Sequence, residues 1–241
     1  MKKIILFLLI LFSLSTNIFG QLNHIEMVFK LKNDNGKNTR ERLEKILQIM
    51  RYRIASFKMN ETVSGIRNNR IYINIPQTKY QNRIKAVLEE RGTISLYEVT
   101  DEVTDKTNQI SREIKYRFGS EKIHIIGDPI FTNHSVKDLK VAELSDGSFL
   151  LVIILNPFAA KKLAYETKRL IGKQVALIIS DRWINVVTVK DRIVSGQVAF
   201  PINYPLETAM TMLSVISLGA YPESIECESI YTTEAPFKIN D

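Results

Sequence analysis

The sequence predicts an α+β chain, and three observations carry that expectation. Apolar residues alternate with polar ones over 25–31 and 70–75, the period of half-buried strands. Between and after these stretches they recur at offsets of three and four, the period of helices packed on one side. The longest apolar run after the N-terminus, Phe149–Leu155, has the length of a buried strand and not of a membrane-spanning helix.

Residues 25–31 put Ile25, Met27, Phe29 and Leu31 on one face and Glu26 and Lys30 on the other. Asn33-Asp34-Asn35-Gly36 breaks that strand, and Thr39 is placed to cap a helix. The helix has an apolar stripe of Leu43, Ile46, Leu47, Met50, Ile54 and Phe57, with Arg40, Arg42, Glu44, Lys45 and Arg51 on the wet side. A short strand over Thr62–Ile66 precedes a turn at Asn68-Asn69. In Arg70–Ile75 the three isoleucines point inward, and Pro76 stops the ladder. Thr78 is a second candidate cap, for a helix with Tyr80, Ile84, Val87 and Leu88 on its stripe; Gly92 ends it in left-handed geometry. Ile94–Val99 is a further strand. The order β-α-β-β-α-β is the ferredoxin-like plan, two helices on one face of an antiparallel sheet.

Residues 101–120 are polar and of mixed charge, and Gly119 and Gly127-Asp128-Pro129 are breakers. The stretch 101–135 therefore reads as a connector or hinge-flanking segment, with a weak amphipathic helix around Ile110 and Ile114. An α/β unit follows. Phe149–Leu155 is its central strand; Asn156 caps and Pro157 opens a helix that turns Phe158, Leu163, Thr167, Leu170 and Ile171 inward and ends at Gly172. Strands over Val175–Ile179 and Trp183–Val189 flank a turn at Asp181-Arg182, and a short strand ends at Phe200. Pro205 opens a last helix with Leu206, Ala209, Met210, Leu213, Val215, Ile216 and Leu218, closed by Gly219.

The chain has 241 residues, 45% of them hydrophobic and 24% charged, which suits one or two domains and argues against disorder. Lys2 and Lys3, the apolar run Ile4–Phe12 and the smaller residues Ser13–Gly20 read as an export signal over 1–20, placing the chain in the periplasm or outside the cell. Cleavage falls before Gln21, with a site near Ser15 as the alternative and an uncleaved anchor as the competing reading. The formal charge of +7 becomes +5 without Lys2 and Lys3, a mild excess that does not demand nucleic acid. Cys227 is the only cysteine, so no intrachain disulfide forms, and it reads as a small buried hydrophobe.

In order along the chain, Thr167-x-x-x-Ile171-Gly172-Lys173, Ala176-Leu177-Ile178-Ile179-x-Asp181, Ile193-x-x-Gly196, Leu206-Glu207-x-Ala209 and Gly219-Ala220-Tyr221-Pro222 resemble the soluble periplasmic region of SecD, the accessory subunit of the bacterial protein-export translocase. Arg182, Val187 and Ile202 depart from it, standing where that family favours Gly, Pro and Gly. The resemblance implies a ferredoxin-like base over 21–100, completed by 222–232 with Ser224–Ile230 as the returning strand. It implies an inserted head over 136–221, head movement about 101–135 and 219–224, and a tail over 233–241. By the same resemblance this is the periplasmic module without the membrane motor, contacting unfolded or translocating polypeptide and Sec translocase components. An envelope scaffold that keeps the fold without the transport role is the alternative.

No enzyme is expected. His24, His124 and His134 have no metal-ligand spacing, Cys227 has no nucleophile signature, and Leu170–Lys173 lacks phosphate-loop glycines, so no catalytic, metal or cofactor site is assigned. Asp181 reads as a turn residue and Glu207 as a complement to a helix dipole. Trp183, Phe200, Tyr204 and Tyr221 are the candidate polypeptide contacts, against the competing reading that a packed core claims them. The basic face Arg40, Arg42, Lys45 and Arg51 reads as solvated surface.

Overall fold

The computed structural model describes residues 23–59, 62–101 and 111–234. The expected export signal and residues 235–241 of the tail lie outside them, as do 102–110 of the connector and with them Ile110. Among the described residues no helix is long and apolar enough to cross a membrane.

The fold is mixed α/β with antiparallel sheets. A four-stranded sheet has the order β12-β1-β3-β2, built from β1 (His24–Leu31), β2 (Val63–Arg67), β3 (Arg70–Pro76) and β12 (Ile225–Thr233). Helices α1 (Thr39–Ala55) and α2 (Gln81–Glu89) cover one face. The alternation read from sequence holds: Met27, Phe29, Ile71, Ile73 and Ile75 are fully buried against Leu43, Ile46, Met50, Ile84 and Leu88. Asn68 and Asn69 both have positive φ, the geometry of a tight hairpin.

The caps differ from expectation. Asn38, at φ 48°, precedes α1, and the Thr39 hydroxyl donates instead to Asp34 Oδ1 (2.8 Å). Thr78 lies ahead of α2, where its Oγ1 accepts from the Tyr80 N–H (3.3 Å).

Ile94–Val99 does not complete the four-stranded sheet. As β4 (Ile94–Thr100) it lies at the centre of a five-stranded sheet of order β10-β9-β4-β6-β5, with β5 (Arg112–Lys115), β6 (Lys122–Thr132), β9 (Gln174–Ile179) and β10 (Arg182–Thr188). Its sequence explains the choice: Ile94 and Leu96 face one core while Tyr97 and Val99 face another, as a central strand requires. The place beside β1 is taken by β12, which pairs with it from His24↔Thr233 to Leu31↔Ile225.

Residues 112–115 and 122–132, read from sequence as connector, are thus strands. β5 is a short edge strand that buries only Ile114 and leaves Arg112, Glu113 and Lys115 in water, so it looked like polar linker. A third sheet, β11-β8-β7, joins β7 (Val136–Glu143), β8 (Phe149–Leu155) and β11 (Gln197–Pro201). The five-stranded sheet shares a core with the third sheet and with α3 (Pro157–Arg169) and α4 (Leu206–Ser217). Asn156 caps α3 as expected, accepting from the Ala159 N–H at 2.9 Å. Two residues expected inside α3's packing face water instead, Phe158 (83% exposed) and Ile171 (54%).

The chain passes between the four-stranded sheet and the rest at 90–93 and 219–224, and one buried side chain binds both passages. Arg53, on α1, donates from Nη1 to the carbonyls of Val87 (2.9 Å) and Glu90, and from Nη2 to those of Arg91 (3.2 Å) and Gly219 (2.6 Å). Its guanidinium lies 3.9 Å from the centre of the Tyr221 ring. Gly92, at φ +79°, passes so close that a Cβ there would come within 2.7 Å of Arg53 Nη2 and 3.0 Å of the Val215 carbonyl.

Arg53→Met should cost about 2–4 kcal/mol in urea unfolding, because it strands several buried carbonyls. Arg53→Lys should recover little of the loss, since an ammonium lacks the fork that reaches both passages. Gly92→Ala should be destabilising by about 1–3 kcal/mol from positive φ alone.

Candidate functional site

The two faces of the five-stranded sheet have different fates. One is sealed in the shared core; the other carries Ile114, Ile125, Ala176 and Ile178 with half-buried Tyr97, Val99, Ile123, Trp183 and Val186. The sheet curls so that its edge strands meet at a single parallel bridge, Tyr116↔Trp183, reinforced by the Arg117 N–H donating to the Trp183 carbonyl (3.1 Å).

A cavity of about 850 Å³ opens between this second face and the passages to the four-stranded sheet. Tyr97, Arg112, Ile114 and Ile178 line it from the sheet, Asp181 from the turn between β9 and β10, and Arg91, Tyr221 and Pro222 from the passages. A more polar neighbour of about 730 Å³ shares Arg91, Ile114 and Asp181 and reaches Glu226 and Cys227 on β12. Arg91 stands between the two. It donates to both carboxylate oxygens of Asp181 (3.3 Å each) and to the Pro222 carbonyl (3.1 Å), and its own carbonyl accepts from the Tyr221 N–H (2.8 Å). Asp181 keeps its expected turn role, with Ser180 and Asp181 both at positive φ.

Where the sheet edges meet, four aromatic rings assemble. Tyr116 stacks on Trp183 (centroids 4.1 Å apart), Phe118 stacks on Tyr204 (4.9 Å), and Tyr116 meets Phe118 edge-on (5.7 Å). Arg117, between the two β5-side rings in sequence, pairs with both carboxylate oxygens of Glu90 at 3.1 and 2.7 Å, tying the cluster to the end of α2. Phe118 is 41% exposed, so the cluster has one open apolar side. Burial pushes the Tyr204 hydroxyl up to about 12, opposed by nearby Arg117. Burial likewise raises Tyr221 and lowers Arg53. Arginine starts high enough that Arg53 stays charged.

Of the four residues expected to contact polypeptide, Trp183 and Tyr204 meet here. Phe200 and Tyr221 do not: they are 2% and 1% exposed, Phe200 inside the core shared by the two upper sheets and Tyr221 beneath Arg53. Sequence reasoning missed Tyr97, Tyr116 and Phe118. The Tyr-x-Phe alternation at 116–118 was the available signal, obscured by the charges around it. Cys227 is half-buried, and its Sγ donates to the Ser229 carbonyl (3.4 Å); burial raises its pKa, away from thiolate chemistry. Among the described residues no group of three or more His, Cys, Asp or Glu is placed to hold a metal ion.

No family model matches the sequence. Two curated relatives do, both named protein translocase subunit SecDF. The Brucella abortus protein is 23% identical over 192 residues, covering 76% of this chain and 25% of its own length. The Thermus thermophilus protein is 23% identical over 214 residues, covering 83% and 29%. A solved SecDF in a super-membrane-facing form superposes with a TM-score of 0.68 at 18% identity, covering 88% of this chain and 30% of that one. The chain has the fold of a SecDF segment. A second solved structure, titled as a membrane component SecDF that enhances protein export, matches with a TM-score of 0.65 at 18% identity, over 85% of this chain and 98% of that one. The resemblance read from the ordered motifs between Thr167 and Pro222 is borne out, and the chain is SecD-like over most of its length. It spans about a quarter of the curated relatives it matches.

Tyr116→Ala should change the emission of Trp183, the only tryptophan, by removing its stacking partner. Tyr204 gives a pH test. Its folded pKa lies above the ordinary tyrosine value of about 10, so the folded state holds the proton more tightly. Its contribution should be complete below about pH 10 and decline as pH rises toward 12. Tyr204→Phe should remove that share of the alkaline decline in thermal unfolding. At neutral pH it should cost less than about 1 kcal/mol, because the buried Tyr204 hydroxyl has no hydrogen-bond partner among the described residues.

Proposed function

We propose that this chain is an exported SecD-like module that assists protein translocation by binding polypeptide, and that it does so without bond-making chemistry. The observation that carries the reading is the cavity beside an apolar, half-covered sheet face, with an aromatic cluster at the sheet edge. Aromatic and aliphatic surface with paired charges at its rim suits an extended segment of varied sequence. The SecDF likeness supports the translocation role and an extracytoplasmic site of action.

In this reading the four-stranded sheet with α1 and α2 is a ferredoxin-like base. The stretch between the passages at 90–93 and 219–224 is an inserted head, and the cavity between them receives the guest. The head turns about these two passages as a pivot, with Arg53 holding both in place. Such motion breaks Arg91–Asp181, a partly exposed ion pair of the kind that contributes little stability, and the bidentate Arg117–Glu90 pair. Direction comes from the translocase or from folding of the guest.

A photo-crosslinking residue replacing Tyr97 tests this. Crosslinks should form to an unfolded polypeptide and be several-fold fewer to the same polypeptide folded. Equal labelling of both would count against polypeptide capture, and labelling of one folded envelope protein alone would favour the scaffold.

A further inference from the structure

We propose that the outer face of α3 docks on an anionic lipid surface, independently of the polypeptide cavity. Phe158 and Tyr165 are seven residues apart, hence on one side of the helix, and are 83% and 69% exposed. Lys161 and Lys162 lie between them and Lys168 follows near the helix end, all exposed.

The three lysines of this face are uncompensated, whereas Arg169, exposed beside them, pairs with Glu98 and Glu166. Among the described residues none of the three lysines forms an ion pair, and Lys162 donates only to the Pro129 carbonyl (2.7 Å). The basic face of α1 is the contrast. There Arg40 pairs with Glu44, Lys45 with Glu41, and Arg42 with Asp34 and Glu223, which leaves little field to attract an anion.

Charge complementarity selects the partner. Two exposed rings among lysines that have no ion-pair partner among the described residues suit a surface of dense negative charge over an apolar interior: the rings enter the boundary between headgroups and acyl chains while the lysines meet lipid phosphates. The opposite side of α3, with Ala159, Leu163, Ala164 and Thr167 buried, holds the helix rigidly in the fold.

Lysine acetylation of the full chain, read by mass spectrometry with and without vesicles, tests this locally. With vesicles rich in phosphatidylglycerol at low salt, modification of Lys161, Lys162 and Lys168 should fall on the order of fivefold. Phosphatidylcholine vesicles should give no such protection, and about 0.5 M salt should remove it. Phe158→Ser with Tyr165→Ser should abolish it, with unfolding unchanged because both rings are exposed. Protection by phosphatidylcholine alone, protection that survives the double substitution, equal protection by a soluble polyanion, or no protection at all would each overturn the proposal.

Discussion

Arg53 is the point on which the two parts of the molecule are fixed to each other. A guanidinium with no exposed surface is costly to desolvate, and the cost is offset by four carbonyls and an aromatic face. Those carbonyls lie at the end of α2 and on the two strands of chain that leave and re-enter the four-stranded sheet. Both passages are thus satisfied by one rigid donor group, and neither can shift far without leaving a buried polar atom unmade. The absence of a side chain at residue 92 belongs to the same arrangement, because the Arg53 fork and the Val215 carbonyl fill the space a Cβ would take.

Above that junction the five-stranded sheet is apolar on both faces but fully covered on only one. Helices and the third sheet seal the first face. The second is closed at the edge by Tyr116 and Trp183 and is open toward Arg91 and Tyr221. A cavity at this place follows from the strand order: β4 brings Tyr97 and Val99 to a face that no helix among the described residues covers. The ion pairs around it, Arg91 with Asp181 and Arg117 with Glu90, leave charge at the rim and apolar surface within.

Where periodicity was strong, sequence and structure agree. The stripe from Leu43 to Ile54, the alternation of Met27 and Phe29, and the Asn156-Pro157 helix start all appear as read. The errors have physical causes. β5 and β7 are edge strands with charged residues turned to water, so their period was masked. Partner choice was also hidden, because local pattern shows that Ile94–Val99 is a strand but not which sheet it joins. The aromatic residues split the same way. Trp183 and Tyr204 reached the cluster, but Phe200 and Tyr221 were drawn into cores by neighbours far along the chain, and sequence distance carries no record of that. Phe158 was misplaced because the second residue of a helix can turn out of the packed stripe.

The pairing of β1 with β12 has a consequence for how the molecule comes into being. β1 emerges from a ribosome or a translocation channel long before β12, its neighbour on one side, with every other described strand between them in sequence. Until residues 225–233 arrive, that side of β1 presents unpaired backbone and the edge beside it stays sticky. Vectorial delivery therefore keeps the sheet unfinished until β12 arrives, so β1 spends that interval as the kind of unpaired segment that a holding factor would recognise.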